Sequence, residues 1–305
     1  MKSWRNTGET MIDLPRMPTS RVVSAEELGL QGVTSWPLYG ALPAGPRIAV
    51  VGSRAASRAA LACIPAIVTA AATRGYALVS GGARGIDGAV HRAALAAGVP
   101  QLAIVPCTPE DPYPPEHASL FATIAAAPGS GVLYTRPEGQ HNTRGIFASR
   151  NAVVVGVSRA LVVAQALLRS GSWGTGRMAL RGGRPVAAIV ASAAAGSSGC
   201  ADLVARGAQA LPCEPASVGA ALLAWLDALA GGVQVTVTPS WPEHLRWLGE
   251  ALASAGPRGL SLDDLTEQVD TARGNAALLT AELLGLVVES PPGRYHLSRR
   301  PGPTG

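Results

Sequence analysis

The sequence predicts an α/β protein: an extended Rossmann-like parallel sheet with helices on both faces, followed by a small C-terminal winged-helix domain. Three observations carry that reading. Short, continuously apolar runs alternate with helical stretches between residues 47 and 190, the pattern of a parallel sheet covered on both sides. Small-residue turns follow several of those runs, at the sheet edge where open α/β folds bind ligands. Beyond Gly232 the repeat gives way to three helical stretches and two short strands.

Taken in order, Arg47–Gly52 is a strand, Ser57–Arg74 a helix, Tyr76–Ser80 a strand, Ile86–Ala97 a helix and Gln101–Val105 a strand. A helix around Glu116–Ala127, strand Gly131–Tyr134, a helix near Arg150, strand Ala160–Val163, helix Thr175–Gly182 and strand Pro185–Val190 continue the repeat. Right-handed crossovers between such strands force a layered arrangement. Gly196–Gly199 reads as a loop and Ala216–Leu229 as a helix running into Gly231 and Gly232. After it come helix Glu243–Ala253, a helix capped by Ser261, helix Thr271–Leu284, and strands Leu286–Glu289 and Arg294–Leu297 around Pro291, Pro292 and Gly293. Three helices and a two-stranded wing describe a winged helix. The expected division is a partly disordered leader over 1–46, a Rossmann-like domain over 47–232, a winged helix over 233–300 and a tail over 301–305, in keeping with roughly 100 to 200 residues per domain.

Composition removes several chemistries. The 25 basic residues are 24 Arg and a single Lys, Lys2. A P-loop nucleotidase needs a lysine on the β- and γ-phosphates, and Schiff-base or pyridoxal-phosphate enzymes need an amine nucleophile. Guanidinium groups favour forked binding of phosphate and stacking on flat rings. The net charge of +5 is also uneven: residues 47–185 hold 14 Arg against five acids, whereas 186–232 and 233–305 each come to −2. The anion-seeking surface therefore belongs to the middle segment. Cys63, Cys107, Cys200 and Cys213 form no C-x-x-C pair and have no His at ligand spacing, so no metal site, redox pair or cofactor is expected. Met1–Arg21 lacks the apolar stretch of a signal peptide, and the apolar run Ala59–Ala72 is too short to span a bilayer. A soluble, cytoplasmic chain with no membrane partner is the expectation.

Four turns are candidates for chemistry. Gly52-Ser53-Arg54 joins the first strand to its helix; glycine admits close approach, the helix end offers free N–H donors and Arg54 a phosphate fork. Taken alone it reads as a plain strand–helix turn in preference to a site. Ser80, Gly81, Gly82, Ala83, Arg84 and Gly85 repeat the arrangement after the second strand. Asp87 reads as a helix cap or as the orienter of an arginine, and His91 as structural in preference to catalytic. Phe147 stands three residues before Arg150 and Asn151, an aromatic beside a guanidinium as base stacking requires, or else an ordinary core ring. Ser170, Gly171 and Ser172 open a further helix with hydroxyls and N–H groups. The coincidence of four such turns at one sheet edge favours a shared site.

The order and spacing of these residues resemble the DNA-processing protein A family (DprA/Smf). The resemblance is carried by Gly52-Ser53-Arg54 with Ser57, the run Ser80 to Asp87, His91 with Ala94 and Leu95, Tyr113-Pro114, Phe147 with Arg150 and Asn151, Gly156 to Ser158, Ser170 to Ser172 with Thr175, and Gly183-Arg184. It spans about Pro37–Leu211 and continues to about Leu297. It implies a non-catalytic, dimeric single-stranded DNA-binding protein that protects incoming DNA and loads the RecA recombinase during natural transformation. It also implies a DNA site at Gly52, Ser53, Arg54, Ser80, Gly81, Arg84, Phe147, Arg150, Asn151, Ser170, Gly171 and Ser172, with Arg54 and Arg150 on phosphates and Phe147 stacking a base. The chain departs from the family pattern at Tyr134-Thr135, where Ser-Glu is usual, at Ala152, where a second Arg is usual, at Gln165, where Glu is common, and at Ala191-Ser192, where Pro-Gly is.

Judged on its own charge, the stretch Thr271–Leu284, with only Arg273 and Glu282, suits protein contact better than the reading of duplex DNA. Two other functions stay open. A nucleotide phosphoribohydrolase would need Asp87, Glu116 or Glu138 to activate water; a nucleotide-sensing or partner-binding module would need none of them.

Overall fold

The computed structural model describes residues 20–136, 144–190, 197–231, 245–266, 269–271, 274, 275, 277, 278, 281, 287–289 and 293–297. A nine-stranded sheet organises the chain, in the order β1-β2-β6-β5-β4-β3-β7-β8-β9. Its strands are β1 (Ser20–Ser24), β2 (Ser35–Gly40), β3 (Arg47–Gly52), β4 (Ala77–Ser80), β5 (Gln101–Val105), β6 (Gly131–Tyr134), β7 (Ala160–Gln165), β8 (Val186–Val190) and β9 (Gln209–Pro212). The seven from β6 to β9 run parallel, while β2 pairs antiparallel with β6 and β1 with β2.

The parallel core strands are buried almost throughout, as the unbroken apolar runs require. On one face α1 (Arg58–Thr73), α2 (Ile86–Ala96) and α7 (Pro215–Ala230) cover Ile48, Val50, Leu78, Val162 and Ala187. On the other, α4 (Arg144–Gly156), α5 (Gly171–Arg181) and α6 (Ser198–Ala205) cover Ala49, Val51, Val79, Leu161 and Val163. A third cluster packs Phe121 and Ile124 of α3 (Ala118–Ala126) on Val105 and Val132. With only two Phe in the chain, small aliphatic side chains fill these layers, and helices approach closely: Gly219 of α7 lies over the Ala66 backbone of α1.

Three differences from the sequence reading stand out. The predicted leader contributes β1 and β2 to the sheet, so the fold includes residues 20–46; residues 1–19 lie outside the described residues. Helix α5 starts at Gly171 rather than Thr175, because Ser170 caps it by accepting the Trp173 N–H at 3.3 Å. Part of the presumed loop at Gly196–Gly199 belongs to α6, and β9 follows it as an edge strand. Toward the C-terminus, α8 (Arg246–Ala255), α9 (Leu262–Thr266) and an antiparallel ribbon of β10 (Val287–Glu289) and β11 (Tyr295–Leu297) share a small core of Leu248, Leu252, Leu265 and Val287. Ser261 and Asp264 form the predicted cap at the start of α9, with the Asp264 N–H donating to Ser261 Oγ at 3.1 Å. Of the third predicted helix, Thr271, Asn275 and Leu278 are among the described helical residues, and Arg273, Pro291 and Pro292 lie outside the described residues.

His91 on α2 has no exposed surface; its Nδ1 meets Gln101 Oε1 at 2.7 Å, and its Nε2 has no hydrogen-bond partner. It is structural, as read. Burial is the main force lowering its pKa to about 4. The unfolded value is higher, so the stabilisation from a neutral His91 is complete above about pH 6.5 and is lost as pH falls toward the folded value. Its full size is about 3 kcal/mol. Urea unfolding at pH 7 and pH 4.5 is expected to show this loss in the wild type and a smaller one in His91→Asn. Equal pH slopes would remove His91 from the account.

Candidate functional site

The chain reverses direction across the sheet at β3: β4 lies on one side of it and β7, entered only after β6, on the other. Beyond the carboxyl ends of β3 and β7, where such a switch opens a crevice, lies a cleft of about 440 Å3. Its walls are the β3–α1 turn (Gly52, Ser53, Arg54, Ala55), the start of α5 (Ser170, Gly171, Ser172, Thr175), Leu167 of the preceding loop, Arg150 and Asn151 of α4, and Ala83 and Asp87 near the start of α2. Eight of the predicted site residues therefore meet here: Gly52, Ser53, Arg54, Arg150, Asn151, Ser170, Gly171 and Ser172.

Local packing explains the positions. A β-carbon on Gly52 would stand 2.5 Å from Ile86 Cγ1, so only glycine lets the first turn settle on α2. Gly85, at φ +72°, lies against the carbonyl oxygens of Ser53 and Arg54. The Ser172 hydroxyl donates to the Gly52 carbonyl at 2.7 Å and ties the α5 start to the β3 end. Gln165 Oε1, where the family pattern has Glu, accepts the Ser57 N–H at 2.8 Å and so orients the entry to α1.

Arg150 is almost wholly buried. It is 5% exposed, and its guanidinium lies over Gly81 so closely that a β-carbon there would overlap Nη1. Nη1 faces Asp87 Oδ2 at 3.9 Å, and Nε has no hydrogen-bond partner. Asp87, equally buried, also accepts the N–H of Ala83 at 3.3 Å and that of Gly52. Burial pushes its carboxyl above the ordinary carboxylate range against the pull of Arg150, and pushes the Arg150 guanidinium below its own. Asp87 thus faces Arg150 as its charge partner and accepts hydrogen bonds from backbone donors. At the mouth, the Arg54 guanidinium stands over the Phe147 ring at 5.2 Å from its centre, and Phe147 packs edge to face with Tyr113 at 5.5 Å. Phe147 is half-buried beneath Arg54 and is not a core ring.

Three predicted residues stand elsewhere. Ser80 is fully buried and donates its hydroxyl to the Val50 carbonyl at 2.7 Å, bracing β4 on β3. Gly81 backs Arg150 without lining the cleft. Arg84 is exposed and paired with Glu116, which holds that carboxyl down at about 2. Sequence reasoning passed over Leu167, whose only signal was an apolar residue placed directly after a strand. Other arginines of the basic segment are structural: Arg47 donates to the carbonyls of Val157 and Leu28, and Arg184 to that of Gly156. Of the departures from the family pattern, Tyr134, Thr135 and Ala152 are buried, Tyr134 packing on Tyr39 and Thr135 donating to the Val105 carbonyl. Glu138, Ala191 and Ser192 lie outside the described residues.

Burial pushes the Cys107 and Cys200 thiols up to about 11, as inert core thiols require. Among the described residues no cluster of ligating side chains could hold a metal, and no helix is long and apolar enough to cross a membrane.

Comparison with known proteins points the same way. The family model for DNA recombination-mediator protein A matches residues 39–219. A Mycobacterium tuberculosis relative that carries the DprA name is 42% identical over 165 residues, 53% of this chain and 41% of that protein, so the chain spans well under half of that relative's length. The Smf protein of Escherichia coli is 32% identical over 260 residues, covering 83% of this chain and 68% of that one. A solved structure of DNA processing protein A from Helicobacter pylori, described for its single-stranded DNA binding mode, superposes with a TM-score of 0.58 at 21% identity, over 69% of this chain and 97% of that one.

Proposed function

Because this chain belongs to the family of DNA recombination-mediator protein A, we propose that it is a single-stranded DNA-binding recombination mediator whose switch-point cleft holds the strand. The observation that carries this reading is the convergence of Arg54, Arg150, Asn151 and the α5 N-terminus on one cleft in the segment that holds the excess of positive charge. Backbone N–H groups and guanidinium forks suit phosphate, and Phe147 beneath Arg54 suits a base. Asp87 accepts the backbone N–H groups of Ala83 and Gly52 and Glu116 is tied to Arg84, which favours binding over hydrolysis.

The family resemblance extends the proposal. The protein would act as a homodimer in the cytoplasm, protecting incoming single strands and loading RecA on them during natural transformation, without a cofactor. In the same reading the chain divides into the Rossmann-like body and a C-terminal winged helix that meets protein and not duplex DNA.

Fluorescence anisotropy with a thymidine oligonucleotide at two salt concentrations tests the core of it. Affinity is expected to fall steeply with salt, with a slope of about −0.7 for each phosphate neutralised on a single strand. Arg54→Ala is expected to weaken binding by roughly tenfold and to flatten that slope by about one phosphate's share. Salt-independent binding, or an Arg54→Ala protein that binds as the wild type does, would sink the proposal.

A further inference from the structure

We propose that the cleft receives a terminal phosphate monoester, the phosphorylated end of a DNA strand, in preference to an internal phosphodiester. This deepens the single-strand reading and rests on it. The first ground is the state of Arg150. It lines the cleft with 5% of its surface exposed, its Nε has no partner among the described residues, and its Nη1 stands 3.9 Å from Asp87, beyond hydrogen-bond length. A guanidinium offers five N–H donors. Burying one with a donor unspent is costly, and the positive charge it carries favours an anion in the cleft that it lines.

The second ground is the wall opposite. Gly171 and Ser172 are the first two residues of the eleven-residue α5 and both line the cleft. Amides at such positions have no acceptor within their own helix, and the helix dipole adds positive potential there. The Ser172 hydroxyl is already committed to Gly52, so the amides are what the wall offers a ligand. Among the described residues that line the cleft, two arginines and a helix end face a single carboxylate, Asp87. That surplus matches a group with three free oxygens and a charge of about −1.5 to −2 better than a diester, which has two free oxygens and one charge.

The third ground is shape. The Ser172–Gly52 bond laces together the two turns that flank the switch point, and Arg150 lines the cleft while almost wholly buried. An internal phosphate would have to carry two ester arms to that depth. A terminal phosphate needs one arm, and the volume of about 440 Å3 leaves room for its nucleotide beside Leu167.

The test uses the full chain and three thymidine oligonucleotides of one length: phosphorylated at the 5′ end, phosphorylated at the 3′ end, and hydroxyl at both. One phosphorylated strand is expected to bind on the order of tenfold more tightly than the hydroxyl strand, and which one wins gives the polarity of the bound end. Thymidine monophosphate is expected to raise the melting temperature where thymidine does not. Gly171→Pro removes one amide without disturbing the fold: proline is tolerated at the first helical position, Ser170 already has the extended conformation that must precede it, and the space around Gly171 is open. It is expected to cut the end preference several-fold, and Arg150→Gln, if it folds, to abolish it. Equal affinity for all three strands overturns the proposal, as does an end preference left intact by Gly171→Pro. Should no strand bind while thymidine monophosphate still stabilises, the phosphate pocket stands and the single-strand reading falls. Should neither bind, both fall.

Discussion

Arg150→Met is expected to destabilise the protein by about 3 to 5 kcal/mol, the usual consequence of removing one partner from a buried ion pair, and to reduce single-strand binding to near background. The cause of the first effect is Asp87. Its carboxylate is buried with Arg150 as its nearest cation and the N–H groups of Gly52 and Ala83 as its other support. Without the guanidinium, desolvation pushes the Asp87 carboxyl still further above its ordinary value. The deficit should therefore be largest at high pH and shrink as pH falls and Asp87 takes up a proton. The double variant Asp87→Asn with Arg150→Met is expected to recover much of the stability and none of the binding. Chemical denaturation at pH 6 and pH 8, paired with anisotropy, separates the two effects. A single variant as stable as the wild type would mean that the pair is not coupled in the folded protein.

Gly85→Ala is the second large effect, expected at roughly 3 to 5 kcal/mol from backbone strain and overpacking together. Gly85 adopts φ +72° and ψ −124°, a region that L residues rarely enter. A β-carbon there would stand 2.2 Å from the Ser53 carbonyl oxygen and 2.7 Å from that of Arg54. Neither is the movable end of a side chain, so the β3–α1 turn itself must shift and carry Arg54 with it. Binding should weaken along with stability. Gly75 supplies the control: its φ is +71°, and nothing lies within 4 Å of the β-carbon position. Gly75→Ala should cost only the conformational strain, about 1 kcal/mol, and leave binding alone. Equal losses at the two glycines would show that the contact between the Gly-rich turn and the β3–α1 turn is unimportant.

The sheet from β3 to β8 was legible because its strands are buried on both faces and so read as unbroken apolar runs. β1 and β2 were not, because β1 is exposed at four of its five positions, and β2 alternates exposed and buried positions over its first four residues and contains Pro37. Their place is set by pairing with β6, a contact far away in sequence. At the site, the turns that form the cleft could be found from glycine, hydroxyl and arginine at the strand ends. Which member of a turn faces inward could not. Ser80 and Arg84 have the right chemistry in the right turn, yet one braces β3 and the other pairs with Glu116. Phe147 was undecided between core and platform because the answer lies in Tyr113 and Arg54, each far from it in the chain.

The same long-range pairing sets an order of events during synthesis. β2 cannot find its partner until β6 has emerged, about ninety residues later, and at ribosomal rates of about 5 to 20 residues per second that is a wait of roughly 5 to 20 seconds. For that interval the β1–β2 pair carries an open edge along the strand that holds Trp36, Leu38 and Tyr39. The antiparallel flap is thus the first part of the sheet to be made, yet it can dock only after β3, β4, β5 and β6 have emerged.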